Sequence, residues 1–113
     1  MNWITLQHEA QLDEIRAKST HRPQLIFKHS TRCSTSHLVK NRLERAGQPT
    51  EIDFYYLDLI NYRPISNKVA ATFRVHHESP QVLLIRNGQC IYDESHMGIT
   101  MDEIVDASVP PEK

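Results

Sequence analysis

Asn87-Gly88 stands between the apolar run Val82-Leu83-Leu84-Ile85 and the shorter Cys90-Ile91-Tyr92. Both residues of this pair tolerate positive φ, the conformation a two-residue turn needs to match the right-handed twist of the strands it joins. The pattern predicts an antiparallel hairpin, and a hairpin here restricts everything before it. Upstream, the apolar runs at 25–27 and 54–60 are each followed by helical periodicity. Val39, Leu43 and Ala46 share one face, with Gly47 placed to end that helix; Ile65, Val69 and Phe73 share another, with Pro64 suited to its first turn. Strands separated by helices pair in parallel, whereas strands joined by a tight turn pair antiparallel. A chain with both calls for a mixed sheet covered by helices.

Residues 3–6 read as a short first strand. Residues 7–19 read as a surface helix with the thin apolar stripe Leu12 and Ile15. Thr100, with Glu103 three residues later, is a capping box that predicts a last helix. The expected order is β-α-β-α-β-α-β-β-α, an α/β fold in one domain over residues 1–113, with the tail at 108–113 expected to fray. If residues of the hairpin pair about Asn87-Gly88 so that their numbers sum to 175, Ser95 lies opposite Pro80 and His96 opposite Ser79.

With 113 residues and a formal net charge of −1, the chain suits one core and carries no basic footprint for nucleic acid. It holds no run of eighteen apolar residues and no signal-peptide pattern, so no membrane association and a cytoplasmic location are expected. Its two cysteines, Cys33 and Cys90, are too few for a disulfide scaffold and match no zinc spacing; both are expected to be reduced, and no metal is expected. Adjacent His76 and His77 lack an obvious third ligand and read as loop and packing residues, Cys90 as a half-buried strand residue, and Trp3, Tyr55 and Tyr56 as packing.

Cys33 lies where the strand at 25–27 gives way to the helix beginning at Ser34. A thiol at a helix N-terminus meets unpaired backbone N–H groups and the positive end of the dipole, which favour thiolate. From Glu14 the next acidic residue is Glu44, while Arg16, Lys18, Arg22, Lys28, Arg32, Lys40 and Arg42 lie between, so the field around Cys33 is expected to be positive. His37, one helical turn on, and Arg32 are candidates to support the thiolate.

Three segments, Phe27-Lys28-His29-Ser30-Thr31-x-Cys33, His77-Glu78-Ser79-Pro80-Gln81 and Ser95-His96-x-x-Ile99-Thr100, resemble the monothiol bacilliredoxin-like family over almost the full chain. That family usually has proline after the cysteine and often an aromatic residue further on, where this chain has Ser34 and Met97. The resemblance implies a thioredoxin-like fold with one active cysteine, and bacillithiol, a small bacterial thiol, as co-substrate, with no cofactor bound. In such a sheet Ser79-Pro80 is expected to form a cis peptide that exposes backbone polar groups beside Cys33 and receives the incoming disulfide. Ser36 falls where a dithiol thioredoxin places its second cysteine; it is read as a donor to the thiolate or as a helix-surface serine. Lys28, Ser79, Pro80 and His96 complete the expected substrate-binding set, with Lys28 alternatively a strand-end charge pointing away. Cys90, about 20 Å from Pro80 along the strand, is expected to form no disulfide with Cys33.

The expected activity is monothiol disulfide exchange that removes bacillithiol, or a similar small thiol, from mixed disulfides on client proteins. A non-catalytic redox sensor or adaptor, capped at Cys33 under stress, is the alternative, and a shared iron-sulfur cluster ranks last.

Overall fold

The structure, a computed structural model, describes residues 1–109. Five strands, β1 (Ile4–Thr5), β2 (Gln24–His29), β3 (Asp53–Asp58), β4 (Gln81–Arg86) and β5 (Gln89–Ser95), form one sheet in the order β1-β3-β2-β4-β5. The helices are α1 (Ala10–Lys18), α2 (Ser34–Ala46), α3 (Arg63–Phe73) and α4 (Met101–Ser108). β1, β3 and β2 run parallel, and β4 and β5 antiparallel to their neighbours. This is the expected mixed sheet and element order, with one addition, a 3-10 turn at His96–Gly98. Of the tail expected to fray, Ser108 still belongs to α4, and 110–113 lie outside the described residues.

β2 is central and buried along its whole length, because both sheet faces are covered. Its side chains alternate. Ile26 joins the core formed with α1 and α3 (Leu12, Ile15, Ile65, Val69), whereas Leu25 and Phe27 join the core formed with α2 and α4 (Val39, Leu43, Ile104). Gly47 closes α2 at φ 85°, and Asn87 and Gly88 take φ 53° and 76°, the two positive angles of a type I′ turn.

The hairpin register differs from the sum of 175. Arg86 pairs with Gln89 and Ile85 with Cys90 in that register, but Leu84 pairs with Tyr92, leaving Ile91 as a bulge. The reason lies in the two cores. Strict alternation would send Cys90 and Tyr92 to the same face; the extra residue lets Cys90 pack with Ile85 on the α1/α3 side and Tyr92 with Leu84 on the α2/α4 side. Ser95 therefore lies opposite Gln81, and the His96 N–H donates to the Pro80 carbonyl at 2.9 Å, one residue from the predicted pairing.

Candidate active site

The parallel strands and α2 meet above the C-terminal end of β2, and Cys33 occupies that junction as the N-cap residue of α2, in extended conformation (φ −112°, ψ 119°). It is a free, partly exposed thiol. Its N–H donates to the Ser30 carbonyl (3.2 Å), and its own carbonyl accepts from His37 N–H (3.2 Å). Among the described residues the amides of Ser34, Thr35 and Ser36 have no backbone acceptor, the usual state of a helix's first turn.

The loop before Cys33 is fastened from below. Ser36 is fully buried; its Oγ accepts from Ser30 N–H (3.1 Å) and is hydrogen-bonded to His29 Nδ1 (2.6 Å). Ser30 Oγ accepts from Arg32 N–H (3.3 Å), and His37 Nε2 donates to the Thr31 carbonyl (3.0 Å). Ser36 is therefore not a surface serine: its Oγ is enclosed between the Ser30 N–H and the His29 ring. It holds the loop that carries the thiol. Burial pushes His29 down to about 4, helped by the charges of His37 and Lys40 and opposed by Asp58, so the ring is neutral at neutral pH. The rings of His29 and His37 meet edge to face at 4.8 Å.

Lys28 is corrected more strongly. Alternation along β2 turns it to the α3 side, where it is 0% exposed and Nζ donates to His77 Nδ1 at 3.2 Å. Burial lowers it to about 8. It points away from the Cys33 face, but as a buried group and not as a solvated strand-end charge, and it is not accessible to a substrate. His77, read from sequence as packing, is its partner. Burial, together with the charges of Lys28 and Arg63, pushes the His77 ring below its ordinary value, which suits it to accept a hydrogen bond.

Ser79-Pro80 is cis, as expected of that position, and Pro80 is buried. The Ser79 hydroxyl is covered and has no hydrogen-bond partner among the described residues. His96, exposed and at φ 57°, returns beside Pro80 through its backbone, while its Nε2 lies 3.3 Å from a Glu78 carboxylate oxygen. Arg32 is exposed and makes no ion pair among the described residues.

The wholly positive field read along the chain is tempered in space. Glu44 is drawn to the Trp3 indole N–H (2.8 Å) and Lys40 (3.0 Å), which hold its carboxyl below the ordinary range. Asp58, aligned with His29 by the β2–β3 register, brings a carboxylate near the loop. Sequence reading also missed His29 as a structural partner. The signal was available: in an alternating strand with Leu25 and Phe27, position 29 must face α2.

The far cysteine is chemically different. Cys90 pairs with Ile85, five residues along β4 from Pro80 or roughly 17 Å. Its Sγ lies 3.3 Å from the Tyr92 carbonyl, and burial pushes the thiol up to about 11. It is a free thiol on the α1/α3 side, at the opposite end of the strands from Cys33.

The model of one protein family, monothiol bacilliredoxin BrxC, matches residues 4–104. The chain belongs to the monothiol bacilliredoxin family. Among solved structures, this bacilliredoxin-family chain is similar to a protein proposed to be an oxidoreductase with a thioredoxin fold, at 25% identity and TM-score 0.80, over 92% of this chain and 91% of that one. Thioredoxins from Malassezia sympodialis (14% identity, TM-score 0.73, 94% and 88% covered) and Halobacterium salinarum, the latter as a point mutant (15%, 0.70, 93% and 86%), share the fold. Family and fold together make this a thiol redox protein of the thioredoxin class, and no helix among the described residues is long and apolar enough to cross a membrane.

Proposed function

We propose that the chain is a monothiol disulfide exchange enzyme that strips bacillithiol, or a similar small thiol, from cytoplasmic client proteins. The observation that carries this reading is the combination of a partly exposed Cys33 at the start of α2 with a buried, hydrogen-bonded Ser36 three residues on. A dithiol enzyme releases its mixed disulfide by internal attack; here no thiol stands at that position, and Cys90 lies too far away.

In the first step the Cys33 thiolate attacks the bacillithiol sulfur of the mixed disulfide. A new S–S bond joins Cys33 to bacillithiol, the old S–S bond breaks, and its electron pair leaves on the client sulfur as thiolate. In the second step a free bacillithiol thiolate attacks the adduct, giving oxidised bacillithiol and regenerating Cys33 thiolate. Two electrons pass from bacillithiol to the client cysteine, and no metal or nucleotide is needed. Cys33 presents its sulfur at the N-cap of α2, and the backbone beside cis-Pro80 is where the incoming disulfide would lie.

Intact mass spectrometry tests the assignment. A client carrying a bacillithiol adduct is mixed with wild-type protein or with Cys33→Ser. The expected result is loss of the client adduct and gain of the same mass on the wild type, with no transfer to the variant. Adduct loss that continues in Cys33→Ser, or none with wild type, overturns the exchange reading; capping of Cys33 without transfer selects the sensor alternative.

A further inference from the structure

Along the helix that follows the candidate nucleophile lies a surface that the exchange chemistry does not use. Leu38 and Met97 are 58% and 54% exposed, a large apolar exposure for two side chains that line one groove of about 260 Å³ with Asn41, Arg42 and Arg45. Leu38 lies five residues beyond Cys33, about 7.5 Å along the helix axis. Met97 follows His96, whose N–H is bonded to the Pro80 carbonyl, and the groove runs along α2 from Leu38 toward Arg45 in its last turn, with the 3-10 turn that carries Met97 as its other wall. Arg42 fixes its far wall, donating to the Met97 carbonyl (3.3 Å) and approaching its sulfur (3.7 Å).

The α2 wall of this groove is cationic. Arg32, Arg42 and Arg45 make no ion pair among the described residues. The single acidic residue of α2, Glu44, is turned to the other side of the helix by Trp3 and Lys40. The carboxylate on the turn's flank, Glu94, accepts from Ser95 N–H and lies against Gly98.

We propose that this groove docks the client, and that the client segment it selects is extended and acidic, placing an apolar side chain between Leu38 and Met97 and carboxylates against Arg42 and Arg45. The proposal rests on the exchange reading for its biological setting but not for its physics. An apolar slot rimmed by guanidinium groups that have no carboxylate partner among the described residues favours an apolar residue flanked by carboxylates. Long-range attraction raises the encounter rate of such a segment and repels a basic one.

Two readouts separate its failure from failure of the exchange reading. In the first, peptides of equal length carry a small-thiol mixed disulfide beside a leucine and differ only in flanking Glu, Gln or Lys. The expected rate of transfer to Cys33 is about tenfold higher for Glu than for Lys at low salt, with the ratio collapsing at high salt and inverting in Arg42→Glu/Arg45→Glu. A neutral small disulfide, 2,2′-dithiodipyridine, reports whether Cys33 reacts at all. In the second, which needs no exchange, a thiol-free Glu peptide is titrated into Cys33→Ser. Amide NMR shifts are expected at 38–45 and 96–98, and are expected to vanish in Leu38→Ser/Met97→Ser while the rest of the spectrum stays folded. Equal rates and affinities for Glu and Lys peptides overturn the proposal, as does a preference that survives charge reversal. Shifts of the same amides with protein concentration alone mark a second copy as the occupant and also overturn it.

Discussion

Ser36 and His29 explain how one position can lose a thiol and still matter. In place of a second cysteine the chain has a hydroxyl that ties His29, the last residue of β2, and Ser30, the first residue of the loop before Cys33, to the first turn of α2. Truncation to Ser36→Ala leaves a buried N–H and a buried ring nitrogen without their partner, and such orphaned groups cost about 1–3 kcal/mol. Urea unfolding is expected to report a loss of that size. Because Ser30 in turn accepts the Cys33 N–H, the same substitution is expected to slow the reaction of Cys33 with a small neutral disulfide. Ser36→Thr, which keeps the hydroxyl, separates the two effects: recovery of the exchange rate beyond any recovery in stability assigns Ser36 a positioning role. Equal rates for Ser36→Ala and wild type would reduce it to a packing residue. The role was hidden from sequence because a serine's partners are set by tertiary approach, and His29 reaches it only when β2 and α2 are stacked.

Among the elements, the hairpin and the last helix mark what sequence patterning reveals and where it stops. Asn87-Gly88 identified the turn, and alternation of strands and helices identified the mixed sheet, because both are local consequences of φ preference and hydrophobic period. The bulge at Ile91 was not legible, since Cys90-Ile91-Tyr92 reads equally well as unbroken alternation; only the two opposed cores require the extra residue. Its consequence reaches the site, moving His96 opposite Pro80. The α4 capping box is half realised: Thr100 Oγ1 accepts from Glu103 N–H at 3.3 Å, but the Glu103 carboxylate takes the Tyr92 hydroxyl at 3.0 Å and so links α4 to β5. Thr100→Ala is expected to cost about 1 kcal/mol of stability, seen as a lower urea midpoint with unchanged slope. No change in midpoint would mean that Glu103 and Tyr92, not the cap, hold that end.

Across the whole molecule, the two faces of β2 divide the site's chemistry into an accessible thiol above and a buried titrating layer below. The candidate nucleophile was legible because a helix start after an apolar strand is a sequence pattern; the layer was not, because Lys28 is an ordinary charge until a sheet turns it inward. Its consequence is a pH dependence of folding. Lys28 titrates at about 8 in the folded chain and at 10.5 when free, so between those values the unfolded chain binds the extra proton and stability rises with pH. The full difference is about 3 kcal/mol, a penalty present below pH 8 and relieved by pH 10.5. His29 acts in the same direction at the acid end: lowered to about 4 from 6.5, it costs nothing above 6.5 and destabilises the fold as pH falls toward 4. Cys90 and Tyr55, raised to about 11 and about 12, oppose any further gain in alkali. Comparing wild type with Lys28→Met cancels these shared contributions. An apolar side chain of similar length fits the site, and His77 keeps the Ser66 hydroxyl as a neighbour at 3.4 Å. The variant is expected to be the more stable protein at pH 7, with its advantage over wild type shrinking by about 2 kcal/mol by pH 9.5, measured by urea unfolding at both values. A constant difference between the two proteins would show that the Lys28 ammonium is not desolvated, and that water reaches the layer beneath the site.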